Sequence, residues 1–113
     1  MRKVITAMAI ALLFLFTPLD ATAASRMDLD NGAAVFKANC AGCHANGGNI
    51  VRRGKNLKLK TLHKRKMDTE EAIASIVTNG KGIMSAYGDK LSPEEIANVS
   101  VYVLQRAEEN WKR

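Results

Sequence analysis

The sequence predicts a small all-α domain of about four helices. Apolar residues recur at three- and four-residue spacing around Val35, Ile73 and Val99. Start and stop residues bracket those segments, with Ser92-Pro93 opening one and Asn79-Gly80 closing another. No run alternates apolar and polar residues as a half-buried strand would, and no internal repeat or low-complexity tract is present.

The 113 residues allow one domain. Arg2 and Lys3 open the chain, Ala7 to Phe16 is unbroken apolar sequence, and Pro18 and Ala21-Thr22-Ala23-Ala24 follow. A charged start, an apolar middle and a small-residue ending describe a secretory leader over residues 1–24, cut after Ala23 or Ala24. The remaining domain is then 25–113. The apolar run is well short of the ~20 residues a spanning helix needs, and no second one follows, so the mature chain is expected to stay out of the bilayer.

In order, the first mature helix is predicted from Asp28 to Asn39, with Asp28 and Asp30 as candidate caps and Val35 and Phe36 on its apolar stripe. Gly32 costs helix propensity and either permits close approach of another helix or frays the start. Residues 45–49 read as a turn-rich loop. Arg52, Arg53, Lys55, Lys58, Lys60, Lys64, Arg65 and Lys66 then accumulate with no acid among them, and Leu57, Leu59 and Leu62 indicate a short amphipathic turn. A third helix is expected over Asp68–Asn79, capped by Asp68 with Glu71 completing a capping box. The last helix follows the Ser92 cap and Pro93, with Ile96, Val99, Val103, Ala107 and Trp111 on one face. It is expected to cross the first helix near Gly32 and Phe36.

The chemistry is concentrated in Cys40-Ala41-Gly42-Cys43-His44. C-x-x-C-H is the pattern of covalent haem attachment. Two thiols one helical turn apart can reach the two vinyl-derived arms on one porphyrin edge, and the next residue places an imidazole under the iron. Both cysteines lie beyond the leader, in a compartment where free thiols tend to oxidise, and capture by haem uses both. Three other readings compete: a disulfide, a zinc site built from Cys40, Cys43, His44 and His63, and chance occurrence.

A second stretch supports haem. Met84 sits in the glycine-rich segment Asn79-Gly80-Lys81-Gly82-Ile83-Met84-Ser85-Ala86-Tyr87-Gly88, where a flexible backbone can deliver a thioether to the open haem face. Sulfur opposite imidazole favours ferrous iron and raises the reduction potential. Met27 and Met67 are weaker candidates, and His63 reads as a surface histidine, with bis-histidine ligation as the lesser alternative. The expected constellation is Cys40 and Cys43 bonded to one haem c, with His44 and Met84 as iron ligands. A stapled cofactor would matter to a domain this small, and the apoprotein is predicted to fold poorly.

Net charge is +6 for the chain. A basic run is commonly a solvated face, or else a patch that steers the protein to an acidic redox partner. No nucleic-acid-binding motif is present in the mature segment.

Over nearly the whole mature length the chain resembles a class I monohaem cytochrome c, most closely the cytochrome c6 family. The resemblance rests on Gly32 to Phe36, Cys40-Ala41-Gly42-Cys43-His44, Asn79-Gly80-Lys81-Gly82-Ile83-Met84, Leu91-Ser92-Pro93-Glu94-Glu95-Ile96 and Val101-Tyr102-Val103. It implies a monomeric, non-enzymatic carrier that moves electrons from the cytochrome b6f complex to photosystem I in the thylakoid lumen. The same residues would serve a periplasmic respiratory carrier donating to a terminal oxidase. A peroxidase-like or ligand-sensing haem would need a vacant or labile sixth position. Two positions depart from the family pattern: Ser85 stands where proline usually follows the ligand methionine, and Ile76 stands where many photosynthetic members have glutamine.

Overall fold

The computed structural model describes residues 21–112, with side chains from residue 29 onward. Most of the expected leader lies outside these residues. Five α-helices occur among the described residues: α1 Ala21–Asn39, α2 Ala41–His44, α3 Leu59–Lys64, α4 Glu70–Asn79 and α5 Pro93–Glu108. The helix beyond the expected four is α2, a single turn over the C-x-x-C-H motif. No strand forms among the described residues, and the one isolated bridge pairs Lys81 with Met84.

Helix α1 begins seven residues earlier than the predicted Asp28, so Asp28 and Asp30 lie inside it rather than capping it. The alanine-rich sequence from Ala21 favours helix, and no breaker stands between it and Gly32. Its first four residues belong to the segment expected to leave with the leader. Gly32 does permit a close helix crossing. A Cβ there would lie 2.3 Å from the Asn98 carbonyl oxygen and 2.8 Å from Tyr102 Cβ, so only hydrogen lets α1 rest on α5 at this point. Beside the crossing, Asn98 Nδ2 donates to Asn31 Oδ1 at 2.9 Å, which satisfies a buried amide.

Helix α5 starts as expected. Glu95 N–H donates to Ser92 Oγ at 3.1 Å and Ser92 N–H to Glu95 Oε1 at 3.0 Å, a complete capping box with Pro93 in the first turn. Ile96, Val99, Val103 and Ala107 are buried. The helix ends at Glu108, however, so Trp111 reaches the core from a turn. Asn110 and Trp111 both take positive φ, 55° and 54°, a costly conformation for a bulky residue. The indole offsets that cost. It stacks on Phe36 with centroids 5.4 Å apart, and its Nε1–H donates to the Leu57 carbonyl at 3.0 Å.

Helix α4 is capped by Thr69, not Asp68: Ala72 N–H donates to Thr69 Oγ1 at 3.1 Å. Asp68 lies one residue too early and pairs instead with the His63 ring. Ile73 and Val77 face Val99 and Val103 in a core shared by α1, α4 and α5. Helix α3 buries only Leu62.

Candidate functional site

The helices leave a cavity of about 680 Å³ among the end of α1, α2, α4, α5 and the loop after α4. That volume suits a drug- or cofactor-sized group. Cys40, Cys43, His44 and Met84, far apart in sequence, all line it. Phe36, Ile73, Val77, Val99 and Val103 supply hydrocarbon walls. Met67 lines the cavity too, whereas His63 does not. Met27 falls among residues whose side chains are not described.

Cys40 closes the first turn of α2 and Cys43 lies within it, and neither is in a disulfide. Burial pushes the Cys40 thiol up to about 11. No group of three or more His, Cys, Asp and Glu side chains among the described residues could share a metal ion. The zinc reading therefore fails, because His63 is turned to Asp68 and away from the cysteines.

His44 ends α2, and its Nδ1 lies 2.7 Å from the Gly48 carbonyl oxygen. A carbonyl only accepts, so Nδ1 carries the proton and Nε2 keeps its lone pair for a metal. The acceptor is itself fixed by the turn that follows, in which Gly48 N–H donates to the Ala45 carbonyl at 3.0 Å.

The Met84 segment is more constrained than its glycines indicate. Lys81 and Met84 exchange backbone bonds of 3.0 and 3.1 Å, closing a two-residue turn with Gly82 at φ 59°. Gly80 leaves α4 at φ 67°, and a Cβ there would lie 2.6 Å from the Met84 carbonyl oxygen. Downstream, Tyr87 and Gly88 N–H groups return to the Val77 and Thr78 carbonyls at 2.8 and 3.1 Å. Both flanks of the thioether are tied to α4.

Arg52, Lys55, Arg65 and Lys81 also line the cavity. The Arg65 and then the Arg52 charge hold Lys55 below its usual pKa, which places the cations in one another's field. Asn49 organises this loop. Its Oδ1 accepts from Val51 and Arg52 N–H at 3.1 and 2.8 Å, and its Nδ2 donates to the Lys55 carbonyl at 3.0 Å. The sequence places Tyr87 in the methionine stretch and Asn49 in the turn-rich loop but assigns neither a role, and Asn49 had a signal in the turn propensity of its loop. Ile50 and Ile83 stand out into solvent, 70% and 73% exposed. Ile76 turns hydrocarbon to the cavity.

A helical shell with C-x-x-C-H on one wall and a methionine turn on the cavity lining defines a class I c-type cytochrome. Residues 27–103 match the family described as cytochrome c oxidase, cbb3-type, subunit III. A cytochrome c6-like protein of Nostoc sp. strain PCC 7120 is 50% identical over 112 residues, covering 99% of this chain and all of that protein. Cytochrome c6C of Synechococcus sp. PCC 7002 is 64% identical with a TM-score of 0.70, covering 71% of this chain and 98% of that one. Cytochrome c6 of the diatom Phaeodactylum tricornutum is 46% identical with a TM-score of 0.73, covering 74% and 99%. This chain belongs to the cytochrome c6 family, and with that family it carries a covalently attached haem c.

Proposed function

We propose that the protein is a one-electron carrier in which Cys40 and Cys43 fasten haem c by thioether bonds while His44 and Met84 ligate its iron. The supporting observation is that one cavity is lined by two thiols, an imidazole with a free ring nitrogen and a thioether. When bound, the haem supplies a ferric–ferrous couple. The chain's own residues do the rest. Gly48 orients His44, the turn at Gly82 holds Met84 in place, and the apolar walls keep water out. With His44 and Met84 both holding the iron, no coordination position would be left for a substrate, which fits a carrier rather than an enzyme.

By family membership, the donor and acceptor we infer are the cytochrome b6f complex and photosystem I, met in the thylakoid lumen after the leader over 1–24 is removed. The cations at the cavity mouth suit an acidic partner surface. The matched family description favours a second reading, donation to a terminal oxidase from the periplasm. Rapid oxidation by purified photosystem I, with none by an oxidase, selects the first.

The ligand set is tested by the far-red sulfur-to-iron absorption band of the ferric protein. Met84→Ala should abolish the band and lower the midpoint potential, while Met67→Ala leaves both in place. A band lost only in Met67→Ala would move the ligand to the other methionine in the cavity.

A further inference from the structure

We propose that Tyr87 is a positioning residue that latches the methionine loop to the helix carrying the cysteines. The Tyr87 hydroxyl donates to the Asn39 carbonyl at 3.0 Å, across 48 residues of sequence. Asn39 is the last residue of α1 and immediately precedes Cys40. Its carbonyl is one of the terminal acceptors that a helix leaves without an internal partner, so the phenol fills a vacancy the helix creates. Among the described residues this is the one side-chain hydrogen bond between the loop after α4 and the α1–α2 segment.

The backbone bonds of the loop all return to α4 or to the loop itself, so they hold Met84 to one wall of the cavity. Among the described residues, the hydrogen bond from the loop to the Cys40 wall comes from Tyr87. The ring lies against the core, lines the cavity and carries the Lys90 ammonium 5.5 Å from its centroid. Burial raises the Tyr87 pKa, so the hydroxyl remains a donor at neutral pH. A phenol three residues beyond the sulfur thus fixes the distance between the two sides of the cavity. Loss of the latch lets the loop swing on its α4 hinge, and the sulfur yields more readily to an outside ligand.

This inference rests on Met84 being an iron ligand, and the experiment separates the two claims. Imidazole affinity of the ferric holoprotein and thermal loss of the far-red band are measured for wild type, Tyr87→Phe, Tyr102→Phe and Met84→Ala. One neutral, partly exposed hydrogen bond predicts about two- to fivefold tighter imidazole binding for Tyr87→Phe. Its band should also fade at a lower temperature than the helical ellipticity, whereas Tyr102→Phe matches wild type in both readouts. Unchanged affinity in Tyr87→Phe, or a band that fades only together with the helices, overturns the latch. A band that survives in Met84→Ala overturns the ligation itself, whatever Tyr87→Phe does.

Discussion

Position 32 shows how much one hydrogen atom can decide. Gly32→Ala would press a methyl group into the Asn98 carbonyl, which is backbone and cannot rotate away. Forcing α1 off α5 should destabilise the holoprotein by about 2 kcal/mol, read from denaturant melts. At this scale the cysteine–histidine motif was legible because its whole chemistry lies within five consecutive residues. Met84 was legible from its glycine frame. The placing of Met67 in the cavity was not, nor were the bond from Tyr87 to Asn39 and the Trp111 contact with Leu57. Each depends on where distant segments meet, and no local spacing encodes that.

Among the elements, α5 was the most readable and α4 the instructive miss. Ser92, Pro93 and Glu95 form a reciprocal cap that two adjacent residues could not mimic. Before α4, Asp68 and Thr69 are both good cap residues, and the choice between them turns on a one-residue register that pairing with His63 helps to set. Ser92→Ala should therefore cost about 1 kcal/mol. Thr69→Ala should cost a similar amount, ~1 kcal/mol. Asp68→Asn removes only an exposed pair and should stay within about 0.5 kcal/mol of wild type. Thermal melts of the three variants rank them directly; equal loss in Asp68→Asn and Thr69→Ala would contradict the observed cap.

For the molecule as a whole, the cavity of about 680 Å³ sits where a small domain would otherwise have its centre. Phe36, Ile73, Val77, Val99 and Val103 all face it, so without a filler the main apolar residues lose a packing partner together. The chain carrying Cys40→Ser and Cys43→Ser should show little helical ellipticity, and a folded, cooperative melt would refute this. The cations at the mouth act over longer range. Arg52→Glu with Lys55→Glu should slow reaction with an acidic partner in stopped-flow at low ionic strength. The rates should converge with wild type near 1 M salt, where the screening length falls to about 3 Å.

The meeting of α1 with α5 joins the beginning of the domain to its end. Synthesis delivers residues one at a time, so the core cannot close until the last helix has emerged from the ribosome. Until α5 docks on α1, Cys40 and Cys43 ride on an open backbone, before the core has closed beside them.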